Sequence, residues 1–309
     1  MTARSPPALP PQVRVLVRDW LSANSVLLAG RDECVVVDTG YVRHAPFLLA
    51  LLRSPHALGE RPLAKIVNTH CHSDHMGGNA AIARSYGCPV AIPEGEVAAI
   101  EAWDEHALLL AYADQSAERF SIGEVLRANR TYRWGDLDWE AVAAPGHDMG
   151  ALCFFNREHG VLVSGDALWA NGFGFVMPRE LDSRALPATR TTLEMLVRLP
   201  IRTVIPGHGD PFTDVEAAFD RAFRRLESYE ADPMRLARHA LKVVLAFKLL
   251  ECRGLPFAEL ASYVDRVPLY RDFNARFLRL PPQALADALV GDLMRAGAAR
   301  RDGAMLVPA

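Results

Sequence analysis

Apolar residues recur in two rhythms along this chain. Residues 13–17, 25–29 and 34–38 are short runs rich in β-branched side chains, the last ending in Asp38-Thr39-Gly40, and they predict three strands of an antiparallel meander. A helical spacing over 45–52 follows, then an apolar run over 63–68 that stops just before His70. Beyond a short loop at 70–78, the spacing predicts a helix over 79–86, closed by Gly87 and followed by Pro89. Residues 92–130 read as mostly helical. Strand character returns at 137–143, 151–156 and 161–164, with a hairpin turn at 157–160. A helix at 191–199 and a strand at 203–205 then lead to Gly207-His208-Gly209. Strands, helices, strands and helices in that order predict an α/β chain with two sheets sandwiched between helices.

After Pro211 the rhythm becomes helical. Asp232-Pro233 reads as an N-cap followed by proline in the first helical position, opening a helix that runs to about Cys252 before Gly254. Two more helices at 256–264 and 282–296, then β-like pieces at 299–301 and 304–307 around Asp302-Gly303, give the outline of a winged helix. These shifts divide the chain into a disordered, proline-rich leader at 1–11, a catalytic domain at 12–230 and a helical, winged-helix-like domain at 231–309.

Composition narrows the classes. Half of the 309 residues are hydrophobic, 23% are charged and the net charge is −3, which provides no reason to expect a protein built around nucleic acid or an anionic membrane. No stretch reaches the roughly 18 apolar residues of a membrane span, and the start lacks a signal-peptide core, so a cytoplasmic protein is expected. The 5 cysteines include no Cys-x-x-Cys pair, which excludes a disulfide framework and a cysteine-based zinc knuckle.

The chemistry concentrates in Thr69-His70-Cys71-His72-Ser73-Asp74-His75. Imidazole and carboxylate are ligands that zinc and its neighbours favour, and a tight loop can turn successive side chains toward two different metal positions. Pro145-Gly146-His147, Ser164-Gly165-Asp166 and Pro206-Gly207-His208 each place a further ligand-type side chain just past an apolar β-like run, beside a glycine. Asp38, ending a strand, is expected to accept a hydrogen bond from a ligand imidazole or a loop N–H. His44, His56, His106, His159 and His239 have no partner spacing. Aromatic residues in 103–120 and 169–175 fall between the ligands, making Tyr112, Asn171, Phe173 and Phe175 candidate substrate-binding residues.

The order Val-Asp-Thr-Gly, Thr-His-x-His-x-Asp-His-x-Gly-Gly, Pro-Gly-His, Gly-Asp and Gly-His resembles the metallo-β-lactamase superfamily over about residues 12–230. The resemblance implies an αββα sandwich with the metals at one edge. It also implies two divalent ions, with zinc as the default and iron or manganese as alternatives: His70, His72 and His147 on the first, Asp74, His75 and His208 on the second, and Asp166 bridging. In the family the position of Cys71 points away from the metals. An aspartate at the bridging position is uncommon in true β-lactamases and common in thioesterases, lactonases and nucleases, so antibiotic hydrolysis is not expected.

The function that follows is hydrolysis of a small-molecule thioester, ester or lactone by metal-bound hydroxide, with Asp74 as both ligand and general base. Two other readings stand beside it. An endoribonuclease for single-stranded RNA would suit the tail, but residues 282–296 carry Asp287 and Asp292 against Arg295 alone, poor chemistry for phosphate contacts. A non-catalytic metal-binding protein is the other. The tail is expected to cover the site or to form a homodimer contact.

Overall fold

The computed structural model describes residues 9–309, so residues 1–8 of the expected leader lie outside the described residues. The last part of that leader is in contact with the fold, since Val13 N–H donates to the Pro10 carbonyl at 2.8 Å.

Two sheets form the centre. The first contains β1 (Val13–Leu16), β2 (Ser25–Ala29), β3 (Cys34–Val37), β4 (Lys65–Val67), β5 (Val90–Pro93) and β6 (Ile122–Leu126), in sequence order. As expected, β1, β2 and β3 form an antiparallel meander, while β3 to β6 pair in parallel. The second sheet contains β7 (Thr131–Trp134), β8 (Leu137–Ala143), β9 (Leu152–Asn156), β10 (Val161–Gly165) and β11 (Thr203–Pro206), in reverse order.

Alternation along the strands decides which layer each side chain joins. Val26, Leu28, Val35 and Val37 of the first sheet meet Trp139, Phe154, Val163 and Ile205 of the second in a buried core between the sheets. The opposite faces carry Leu27, Val36 and Ile66, covered by helices Ala45–Arg53 and Asn79–Tyr86, and Phe155, Leu162 and Val204, covered by Ala185–Leu196 and Val215–Ala231. This is the αββα layering expected from the sequence.

The helical reading of 92–130 is corrected. That span opens in β5 and contains β6, with the 3₁₀ turn Glu94–Glu96 and the short helices Val97–Ala102 and Leu110–Ala113 between them. The β5 strand, Val-Ala-Ile-Pro, is buried on both faces, and an uninterrupted apolar run has no period to separate strand from helix. β7 was likewise absent from the expectation, the helix at 191–199 begins earlier, at Ala185, and a single turn, Ser73–Met76, lies inside the presumed loop 70–78.

In the tail, Asp232 accepts a hydrogen bond from Arg235 N–H at 3.0 Å and caps the helix Pro233–Cys252 as anticipated. Helices Phe257–Arg266 and Pro282–Arg295 and the hairpin of β13 (Ala299–Asp302) and β14 (Met305–Pro308) are present. A strand β12 (Leu255–Pro256) joins the hairpin, and the helix Pro268–Phe273 is added. The tail packs onto the sandwich: Tyr112 and Ala113 are buried with Leu241, Val244 and Leu245, while Leu236 joins the core under the second sheet. Tyr41 Oη donates to Glu251 at 2.8 Å, fixing the end of helix Pro233–Cys252 against the first sheet. Among the described residues no helix is long and apolar enough to cross a membrane.

Candidate metal centre

Strand ends of both sheets converge on one edge. β4 stops at Val67, and the chain turns through Thr69 and His70 into the one-turn helix Ser73–Met76, which brings Asp74 and His75 back beside His70. β10 and β11 run parallel, so Asp166 and His208 leave them at the same end. Room is made by glycine: a Cβ on Gly207 would come within 2.3 Å of Asp166 Oδ1 and 2.9 Å of the His75 ring.

Three groups of ligand-type atoms result, each with its atoms within 4.8 Å of one another: His70, His72 and His147; His70, His75 and Asp166; and Asp74, His75 and His208. All seven side chains singled out in the sequence are therefore together. Asp166 lies between the outer groups, with Oδ2 at 3.3 Å from His147 Nε2 and Oδ1 at 3.3 Å from His75 Nε2 and 3.9 Å from His208 Nε2. Asp74 Oδ2 is 3.0 Å from His208 Nε2.

The donor set fits divalent ions. His70 Nε2 is buried without a hydrogen-bond partner among the described residues, an expensive arrangement unless something else occupies its lone pair. His72 Nδ1 and His147 Nε2 point at each other across 2.8 Å. Meanwhile outward nitrogens are held. His75 Nδ1 lies 2.8 Å from Asp38 Oδ2, His70 Nδ1 3.1 Å from Thr69 Oγ1, His147 Nδ1 2.5 Å from the Phe175 carbonyl, and His72 Nε2 3.6 Å from Asp148 Oδ2. Partners of this kind fix ring orientation and leave the inner nitrogen for a metal.

Asp38 does what its position at the end of β3 suggested. Besides His75 it accepts from Thr69 N–H at 2.9 Å and Thr69 Oγ1 at 2.8 Å, from a left-handed backbone with φ +59°. Asp148 directly follows the ligand His147. In the structure it faces the outer edge of His72 and accepts from Gly150 N–H at 2.7 Å, with the buried carboxyl of Glu96 beside it. Burial and the Asp148 carboxylate hold the Glu96 pKa well above the usual carboxylate range, which favours a proton shared between the two side chains.

The electrostatics differ among the ligands: burial opposes a charge on His75, but Asp38, Asp166 and Asp74 outweigh it and hold its pKa well above the ordinary histidine range, so a divalent ion would bind there in exchange for a proton. Burial, reinforced by the neighbouring imidazoles, holds His70 well below the ordinary histidine range and takes His72 down to about 4. Burial opposes the charge on Asp166, but His75 and His208 outweigh it and hold its carboxyl well below normal; His75 and His208 similarly lower Asp74. Cys71 is fully buried among apolar side chains, its thiol pushed up by that burial, and belongs to none of the ligand groups.

The pocket over this cluster has walls from several elements. Phe175 lines it together with Trp169, but the other proposed substrate contacts do not. Tyr112 is buried and donates to Asp272 at 3.1 Å, Phe173 is buried under the second sheet, and Asn171 is exposed at the tip of its loop. Leu109, Ala113 and Gln115 come from the 103–120 segment instead. Sequence reasoning missed Trp20, whose ring stacks on His208 at 5.4 Å and 2°, and Val243, Val244 and Phe247 of helix Pro233–Cys252. The tail therefore covers the site, one of the two roles anticipated for it.

Comparison with known proteins agrees with this geometry. The family model described as the metallo-beta-lactamase superfamily matches residues 18–208. The acyl-coenzyme A thioesterase MBLAC2 of Gallus gallus is 27% identical over 226 residues, covering 67% of this chain and 78% of that protein. A hydroxyacylglutathione hydrolase of Bdellovibrio bacteriovorus is 27% identical over 143 residues, 46% of this chain and 47% of that one. The crystal structure of a metallo-beta-lactamase family protein from Thermus thermophilus superposes with a TM-score of 0.56 and 22% identity over 98% of this chain and 100% of that chain, so the similarity of fold extends through the tail.

Proposed function

Because the chain belongs to the metallo-β-lactamase superfamily and is a metal-dependent hydrolase, we propose that it is dinuclear and cleaves small-molecule thioesters, with esters and lactones as secondary substrates. The observation that carries this reading is the pair of ligand groups, His70, His72, His147 and Asp74, His75, His208, with Asp166 presenting an oxygen to each. Two divalent ions, zinc by default, would lower the pKa of a water held between these groups and polarise the carbonyl oxygen under attack.

The chain's own residues do the rest. Asp74, anionic and partly exposed beside the inner faces of His75 and His208, accepts the proton of the attacking water and returns it to the leaving thiolate. Asp38 and Asp148 keep His75 and His72 from rotating out of register. Trp20, Trp169 and Phe175 with Val243, Val244 and Phe247 form an apolar wall that excludes water and suits an acyl group. Similarity to an acyl-coenzyme A thioesterase and a hydroxyacylglutathione hydrolase favours the thioester among the three bonds. Within this reading, residues from about 231 onward form a separate unit whose first helix serves as the pocket's lid.

Steady-state kinetics on panels of acyl-coenzyme A, acylglutathione, aryl ester and lactone substrates, with metal content measured by elemental analysis, test the proposal. Turnover of thioesters is expected to exceed that of the other panels and to vanish in an Asp74→Ala, His75→Ala double variant. Thioester turnover no higher than that variant's would overturn it.

A further inference from the structure

Across the 169–175 loop from the catalytic pocket lies a second cavity that the reaction does not use. It has a volume of about 360 Å³ between helices Val215–Ala231 and Pro233–Cys252, and is lined by Arg224, Arg225, Arg235 and Lys242 with Ser228, Tyr229 and His239. No carboxylate lines it, although acidic residues outnumber basic ones in the chain, 37 against 34. Among the described residues none of the four cationic side chains has an ion-pair partner. Arg235 and Lys242 also border an adjoining cavity with Asp232 and Asp292, but these carboxylates have closer partners: Asp292, its pKa lowered against burial by Arg238 and in part by Lys242, holds Arg238 at 2.8 Å, Asp232 caps Arg235 N–H at 3.0 Å, and Glu230 holds Arg190 at 2.6 Å.

Four unpaired cations around one cavity repel each other, and an anion that enters relieves the repulsion while gaining charge-assisted hydrogen bonds. The other lining groups suit the same guest. His239, taken down to about 4 by burial and by Arg225, Lys242 and Arg235, is neutral at pH 7 and offers a ring N–H without adding charge. Its ring lies 5.7 Å from that of Tyr229, tilted by 31°, so the cavity has an aromatic as well as a cationic border.

The cavity adjoins the catalytic pocket. Lys242 lines the first and Val243 the second, and His239 to Phe247 spans eight residues of one helix, ~12 Å. On the other side, Tyr229 meets Phe173 at 6.3 Å, and a Cβ on Gly172 would come within 2.7 Å of Arg225 Nη1, so the loop that ends in Phe175 is the shared wall. The catalytic pocket itself has about 80 Å³, far below the roughly 300–1,000 Å³ of sites that enclose a whole ligand. Most of a substrate's carrier must therefore lie outside it.

We propose that the cationic cavity binds the phosphates of that carrier, so that the substrate is a thioester of a phosphorylated nucleotide carrier, as in an acyl-coenzyme A, and not of an unphosphorylated peptide thiol. This rests on the thioester reading above and adds a binding site remote from the metal ligands. Phosphates also arrive on RNA, and the test separates the two sources.

Calorimetric titration with adenosine 3′,5′-bisphosphate, which has the carrier's 3′-phosphate and one of its two 5′-phosphates and no thioester, needs no turnover. One site is expected, weakened at least tenfold in an Arg224→Gln, Lys242→Gln double variant that melts like the parent. In the same variant the preference for an acyl-coenzyme A over the same acyl group on N-acetylcysteamine falls at least tenfold, through KM. Absence of bisphosphate binding, or an unchanged preference, overturns the assignment even if both thioesters are hydrolysed, in which case the catalytic reading stands alone. Binding of a single-stranded oligoribonucleotide that is lost in the variant, without bisphosphate binding, assigns the cavity to nucleic acid and likewise overturns it.

Discussion

The two cavities on either side of the 169–175 loop solve opposite electrostatic problems. Around the metal cluster the ligand rings are backed by partners, and the partners by others: Asp38 behind His75, Asp148 behind His72 and Glu96 behind Asp148. Around the cationic cavity none of the four charges is in a salt bridge among the described residues, and Asp232 and Asp292 reach Arg235 and Lys242 only across an adjoining cavity. The first arrangement holds geometry to a fraction of an ångström, as bond-making chemistry requires; the second can take a guest held chiefly by charge. The difference teaches where substitutions act: on rate at the first cavity and on substrate choice at the second.

The largest expected effect comes from removing a shared carboxylate. Asp166→Ala should abolish detectable turnover and remove bound metal by elemental analysis, because both ligand groups lose an oxygen at once; full metal occupancy with near-normal kcat would contradict the dinuclear reading. Substituting the partners behind the rings should cost less. Asp38→Asn and Asp148→Asn are each expected to lower metal affinity or kcat by about 10–100-fold, with Asp38→Asn the worse because it also holds Thr69 N–H and Oγ1. If both variants match the parent in chelator competition, the supported-ring account of the first cavity fails.

Smaller still is the effect of Trp20→Ala. Trp20 is 57% exposed and stacks on His208, so KM for thioesters should rise by a few-fold, on the order of 1 kcal/mol for a partly exposed aromatic contact, with metal content intact. The smallest concerns salt. Raising NaCl from low ionic strength to about 0.15 M should raise KM for an acyl-coenzyme A modestly and leave an uncharged thioester untouched, since charges in an open cavity are screened over about 8 Å. Equal salt dependence for both substrates would erase the contrast between the cavities.

How much of this was readable beforehand follows the same divide. His70, His72, Asp74 and His75 sit within six positions, and His147, Asp166 and His208 each follow a strand and a glycine, so local spacing exposed them all. Asp38 was recoverable because it ends a strand. Asp148 was visible as a residue but not as the partner of His72, because that contact depends on the turn at Gly146 and on how β8 meets the loop after β4. Trp20, Val243, Val244 and Phe247 gave no local signal, since their role comes from packing between elements some 200 residues apart. Fully buried strands such as β3 and β10 were legible without a period, from apolar β-branched runs bounded by turn residues. β5, equally apolar, runs straight from Pro93 into helical turns and was absorbed into a helical reading. The four cations of the second cavity were equally silent in a chain of 34 basic residues, because Arg224 and Lys242 become neighbours only when two helices fold back against each other.

Helix Pro233–Cys252 turns Val243, Val244 and Phe247 to the catalytic pocket, Lys242 to the phosphate cavity and Leu241, Leu245 and Leu249 to the tail's own core, and is anchored at its end through Glu251. Such a three-sided element ties the fate of its faces together. Trimming the chain at residue 231 to obtain a minimal enzyme would strip the reaction chamber of one wall, and grafting a foreign tail would redraw the choice of substrate. For anyone re-engineering this scaffold, one rod of 20 residues reaches both chambers at once.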